Sequence, residues 1–211
     1  METFWLKFNL VTDAAFSRGD GLAGVVDIEV QHDDYGCPYL HGRTIKGILV
    51  EECADILNTM KEPKWGKAAA RLFGKPGSEE ESGGVLTIGN AQLPKEFREA
   101  VKKSGINRLE ILESLTTIRR QTAIEESGVA KENSLRATRV VLRDTPFEAS
   151  LVFLSTLEPT EKALFAACVK AFRRAGTSKT RGLGKLKAYL FDAENKKDVT
   201  DDWFKAMKGE G

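Results

Sequence analysis

The sequence predicts an α+β domain of ferredoxin-like outline, βαββαβ, and three observations carry it. Each end of the chain has a period-two strand pattern, two amphipathic stretches alternate with β-like runs, and two insertions precede the second helix. Residues 4–11 alternate, with Phe4, Leu6, Phe8 and Leu10 against Lys7 and Asn9, as a half-buried strand does. Gly19, Gly21 and Gly24 then lead into a short β-like run over 25–30 that ends at the turn Asp33-Asp34-Tyr35-Gly36. Over 43–60, apolar residues at Ile45, Ile48, Leu49, Cys53, Ile56 and Leu57 have helical spacing, and Pro63 stops the helix. A second short helix is predicted over 65–73, an exposed loop over 75–84, and the next strand over 85–88.

Residues 95–103 read as helix. The stretch 118–143 is polar and basic, with a Ser127-Gly128 turn between two β-compatible runs, and reads as a protruding hairpin. Residues 147–154 form the next strand. Thr160, just after Pro159, is placed to N-cap a helix whose apolar face is Leu164, Phe165, Cys168, Val169 and Phe172. A glycine-rich loop over 176–184, a final strand over 186–191 and a short helix over 199–207 complete the chain. No internal repeat is visible.

At 211 residues, 41% hydrophobic and 30% charged, the chain matches one domain, 1–211, with an elaboration. Its net charge is only +1, so the case for a nucleic-acid partner rests on where charges sit. Residues 170–187 hold seven Lys or Arg and no acid, whereas 13–34 hold six acids against the one base Arg18. Cys37, Cys53 and Cys168 form no metal-ligand spacing and read as reduced core thiols of a cytoplasmic protein. No segment has the length and apolarity of a membrane span or a secretion signal.

The run Arg173-Arg174-Ala175-Gly176-Thr177-Ser178-Lys179-Thr180-Arg181-Gly182-Leu183-Gly184 has the make-up of a phosphate-backbone clamp. Its glycines let the main chain approach an anion, successive N–H groups can face it, and Lys179 and Arg181 supply charge. It lacks the Gly-Lys-Ser/Thr ending of a nucleotide-binding P-loop. The hairpin interleaves Arg119, Arg120, Arg136 and Arg139 with aliphatic residues, although an extended strand puts 136 and 139 on opposite faces. Among the acids, Asp33 and Asp34 are explained by their turn, whereas Asp27 interrupts an apolar run. His32 and His41 lie nearby, each more often structural than catalytic when alone.

Residues 24–47, Gly-Val-Val-Asp-Ile-Glu-Val-Gln-His-Asp-Asp-Tyr-Gly-Cys-Pro-Tyr-Leu-His-Gly-Arg-Thr-Ile-Lys-Gly, resemble the signature of RAMP proteins. In these a strand and turn lead through Pro-Tyr-x-x-Gly into a helix opening Ser/Arg-x-x-Lys-Gly. The 176–184 loop is similar to the family's glycine-rich motif, and 118–147 to its thumb-like insertion. The resemblance is strongest to backbone subunits of CRISPR type III effectors, with the III-D branch as one candidate. It implies a modified RNA-recognition fold that holds guide RNA for pairing with target RNA. The partners it implies are the complex's other RAMP, large and small subunits, with self-association along the guide.

The resemblance places Arg18, His41, Arg43, Lys46, Arg119, Arg120, Arg136, Arg139, Gly176, Lys179, Arg181, Gly182 and Gly184 on RNA. It makes Asp27 the residue that cuts target RNA at regular intervals, by holding a divalent ion, Mg2+ or Mn2+, or by orienting the 2′-hydroxyl. Here the family's usual second glycine ahead of this aspartate is Val25 or Val26, and His41 stands where proline is common. Two other readings stay open: a non-catalytic scaffold or capping subunit holding the repeat-derived end of the guide, and a stand-alone guide-processing endoribonuclease relying on His32 or His41.

Overall fold

The computed structural model describes residues 2–21, 26–74, 83–122, 128–129 and 134–208. In chain order its elements are β1 (Glu2–Leu10), α1 (Gly42–Thr59), α2 (Pro63–Phe73), β2 (Leu86–Ile88), α3 (Lys95–Ser104), α4 (Arg108–Leu115), β3 (Thr116–Gln121), β4 (Arg136–Val141), β5 (Pro146–Phe153), α5 (Pro159–Ala171), β6 (Leu186–Asp192) and α6 (Thr200–Lys208). Four strands form one antiparallel sheet in the order β2-β5-β1-β6, the ferredoxin-like arrangement that the sequence predicts. The hairpin β3-β4 is a separate two-stranded sheet.

The alternation along β1 sets which face is covered. Phe4, Leu6, Phe8 and Leu10 are buried, and their cross-strand partners include Leu151, Ala149 and Phe147 on β5 and Leu190 and Leu186 on β6. Phe8 stacks on Phe147 at 5.3 Å and meets Phe172 edge-on at 5.8 Å, while Phe153 meets Phe165 at 5.4 Å. Full burial of each such ring contributes roughly 1.5–3 kcal/mol, enough to fix the register against a one-residue slip. The opposite face of the sheet keeps Trp5, Lys7, Lys187 and Tyr189.

Helix α5 begins at a reciprocal cap around Glu158 and Glu161, with Pro159 in its first turn, so Glu158 is the N-cap and Thr160 lies inside the helix. Glu161 also takes Arg71 of α2 at 2.6 Å, which ties the two helices together. Of the run expected over 25–30, the described residues 26–30 are not a ladder strand. Residues 26–30 make isolated bridges, Ile28 to Thr138 and Val30 to Ser17, so this segment laces the hairpin to the stretch after β1. Helix α4 is an element the sequence reading lacked: Asn107 caps it by accepting from Leu109 N–H at 2.8 Å, and Ile111 and Leu112 are buried. The loop expected over 75–84 falls mostly outside the described residues, as does Ser127 of the hairpin turn. Cys37, Cys53 and Cys168 are buried free thiols. No helix among the described residues is long and apolar enough to cross a membrane.

Candidate nucleic-acid interface

The first turn of α1 forms one wall of the candidate site. Its Gly42 N–H donates to Asn90 Oδ1 at 3.0 Å, and Ile45 N–H returns to His41 C=O at 3.1 Å. The helix ladder thus leaves the N–H groups of Arg43 and Thr44 at the open end, where the helix dipole favours an anion. No acidic residue occupies this turn. Arg43 is exposed, and Lys46 Nζ reaches Leu86 C=O at 3.4 Å, so both cations border the same opening. That opening is a cleft of about 540 Å3 lined by His41, Arg43, Thr44, Lys46, Thr87 and Asn90 among others.

The glycine loop forms the second wall. Gly176 (φ 90°) and Gly184 (φ 73°) are in left-handed conformations, and a Cβ at either would collide with the carbonyl of Ala15 or Ala175. Thr177 N–H donates to Ala15 C=O and Gly184 N–H to Asp13 C=O, so the loop is pinned onto the stretch after β1. The fold alone thereby accounts for glycine at these two positions. Gly182 (φ 85°) differs, because nothing stands within 4 Å of its Cβ position and its backbone lies open to a ligand. Between them Lys179–Arg181 makes one 3-10 turn, steadied by Arg174 Nη1 donating to Lys179 C=O at 2.5 Å.

The two walls meet. A cavity of about 290 Å3 is bordered by His41 and Thr44 from α1 and by Gly176, Thr177 and Lys179 from the loop. Gln31 steadies this junction, donating to Tyr39 Oη at 3.1 Å and lying 2.7 Å from His41 Nε2. Arg181 turns the other way, donating to Gln121 Oε1 at 3.1 Å, and lines an opening of about 460 Å3 with Arg136 and Thr122 of the hairpin arm. Helix start, glycine loop and hairpin arm therefore form the rim of a series of cation-rich openings, with Glu51 among the lining residues of the middle one. Gln31, Tyr39, Thr44 and Asn90 are site residues that the sequence reading passed over, although the first three lie within the signature stretch.

The hairpin arginines divide. Arg120 and Arg136 are exposed, and Arg119 is half-exposed beside the buried Asp13. Arg139 is turned inward: it is 7% exposed, pairs with Glu29 at 2.9 Å and donates to Thr116 Oγ1 at 3.3 Å. Removing Arg139 from the RNA-facing set corrects the sequence reading, because a guanidinium sealed by a buried carboxylate has nothing left to offer a phosphate. Arg18 makes a two-pronged contact with Asp20 at 2.7 and 2.9 Å, which pulls the Asp20 carboxyl below its ordinary range and raises Arg18.

Asp27 sits at the foot of the hairpin. Its Oδ2 accepts Ala137 N–H at 2.6 Å, its own N–H donates to Ala137 C=O at 2.8 Å, and Oδ1 lies 3.9 Å from Arg136. The carboxylate that seemed out of place in an apolar run thus has a structural use, while its side chain stays 44% exposed. Among the described residues no three His, Cys, Asp or Glu side chains converge to hold a metal. The donor set around Asp27, one carboxylate with one oxygen engaged and a guanidinium beside it, does not fit a divalent ion held by this chain. His32 contacts the Asp33 backbone at 3.0 Å, and His41, held against Gln31, lines the same cavity as Glu51 and Lys179.

The RAMP superfamily family model matches residues 7–187. The chain belongs to the RAMP superfamily. Among curated proteins, no sequence matches it. Of solved structures, this RAMP chain is similar to a chain of the type III-B Cmr-beta complex bound to cognate target RNA, with a TM-score of 0.66 and 13% identity over 96% of this chain and 99% of that one. It is also similar to a chain of the apo Cmr-beta complex, with a TM-score of 0.63 and 14% identity over 90% and 97%. At such identities the likeness establishes a shared RAMP fold.

Proposed function

We propose that this chain is an RNA-binding backbone subunit of a CRISPR type III effector, gripping guide RNA by its phosphates and presenting it to target RNA. The observation that carries the reading is the rim, in which free N–H groups of α1, Arg43, Lys179 and Arg181 border neighbouring cavities, with the open Gly182 backbone next to Arg181 in the chain. Contacts of this kind give affinity without reading sequence, and base pairing supplies the specificity. The complex in which a similar chain occurs is bound to cognate target RNA, which supports guide RNA, target RNA and fellow effector subunits as partners.

The same reading has target RNA cut at regular intervals at Asp27. Its exposed carboxylate oxygen takes the proton of a 2′-hydroxyl, the 2′-oxygen bonds to the adjacent phosphorus, and the bond to the 5′-oxygen breaks. The products are a 2′,3′-cyclic phosphate and a 5′-hydroxyl protonated by water. A second reading keeps the assembly without the chemistry, as a scaffold or capping subunit, and the engagement of Asp27 by Ala137 N–H favours it.

Asp27→Asn separates them, since an asparagine oxygen still accepts from Ala137 while the base is gone. The expected result in the assembled complex is guide binding within about twofold of the parent and target cleavage slowed by roughly 10²-fold or more, read on labelled target RNA. Unslowed cleavage would remove Asp27 from the chemistry and leave the scaffold reading.

A further inference from the structure

Where the end of α5 meets the edge of β6 there is another cleft, of about 510 Å3, that shares no lining residue with the three openings of the rim. Lys170, Arg173, Arg174, Lys185 and Lys187 border it, and no carboxylate does. Lys170 is occupied by Asp201 at 2.7 Å and Arg174 by the Lys179 carbonyl. Arg173, Lys185 and Lys187 have no carboxylate within ion-pair distance among the described residues, and all three are exposed. Asp201 offsets Lys170, and Arg173 feels the charge of Glu52, but Lys185 and Lys187 are left without an ion-pair partner, and like charges so gathered cost stability.

An aromatic platform adjoins these cations. Tyr189 lines the cleft and is 39% exposed. It lies on the sheet face turned away from α1 and α5, cross-strand from Lys7, whose ammonium sits 4.8 Å over the ring of Phe191. Trp5 is the cross-strand partner of Phe191. Along β6, Lys187, Tyr189 and Phe191 therefore share one face at strand spacing. A track of cations for phosphates beside ring faces for bases is the chemistry of single-stranded nucleic-acid binding, whereas an acidic peptide would need only the charges. The bridge between Arg174 and Lys185 closes the neck of the glycine loop, so this cleft begins where the loop ends.

We propose that the cleft between α5 and β6 is a second binding site, for a single-stranded RNA segment, with phosphates on Arg173, Lys185 and Lys187 and a base stacked on Tyr189. It extends the RNA-binding reading to a surface outside the rim, and its test keeps the two apart.

The purified full chain is titrated with a fluorescein-labelled oligouridylate of about 12 nucleotides. Tyr189→Ala is expected to weaken binding roughly 5- to 100-fold, and Tyr189→Phe to stay within about twofold because the ring face is kept. Lys185→Ala/Lys187→Ala is expected to lower the slope of log affinity against log salt by about 1.4, two contacts at about 0.7 each. The Tyr189 effect is expected to persist in a Lys179→Ala/Arg181→Ala background. If the oligonucleotide binds, rim variants weaken it and Tyr189→Ala does not, this site is wrong and the rim stands. If only the lysine variants matter and polyglutamate competes as well as oligouridylate, the surface serves an acidic partner and the proposal is overturned. If no variant or salt change alters a signal indistinguishable from background, this inference and the RNA-binding reading fail together.

Discussion

Replacing Arg139 with alanine is expected to destabilise the protein by about 3–5 kcal/mol, because it strands a buried carboxylate. Glu29 is 5% exposed and would keep only its short contact with Val30 N–H, while Thr116 Oγ1 would lose its guanidinium donor. The pair bolts β4 to the 26–30 segment, next to the bridge from Ile28 to Thr138 and the bonds between Asp27 and Ala137. The loss therefore falls on the anchoring of the whole hairpin. Arg136→Ala is the matched control on the same strand, since its contact with Asp27 is long and exposed and is worth about 0–1 kcal/mol. Urea unfolding followed by circular dichroism reads both variants. Equal midpoints would show that the buried pair is not what fastens the hairpin.

The contrast between these two arginines shows what a sequence carries. Period two says that positions 136 and 139 face opposite ways, and they do. Which of them faces inward depends on Glu29, far away in the chain, and no local pattern announces that partner. Elements whose signal is local were legible: the alternation of β1 and β6 and the helical spacing of α1 and α5 each follow from burying one face. Helix α4 was missed although Asn107 followed by Ile111, Leu112 and Leu115 is a cap ahead of helically spaced apolar residues, because its eight residues show little amphipathic contrast. The run 25–30 misled for the opposite reason. Its β-branched residues suit extended backbone, but Asp27 and Ile28 both donate to Ala137 C=O while Glu29 donates to Asp20 C=O, so the described residues build no regular ladder. For the candidate site, the glycine loop and helix start were each legible as anion-compatible segments, whereas their convergence on one cavity is a property of the tertiary fold.

That convergence sets the largest expected effect on binding. A variant carrying Arg43→Ala, Lys46→Ala, Lys179→Ala and Arg181→Ala removes charge from both walls of the rim and from its junction with the hairpin arm. At about 0.5–1.5 kcal/mol for each lost contact, guide RNA affinity is expected to fall by roughly 30-fold or more. The salt dependence is the sharper reading, because four phosphate contacts account for a slope of about three in log affinity against log salt. Arg18→Ala serves as the control, since that guanidinium is held in both its prongs by Asp20 and is expected to change affinity less than about twofold. All five side chains are at least partly exposed, so these changes leave the core untouched. A four-site variant whose affinity and salt slope both match the parent would mean that the guide's phosphates lie elsewhere on this fold. The α5–β6 cleft, with its own cations and Tyr189, would then be the surface left to hold RNA.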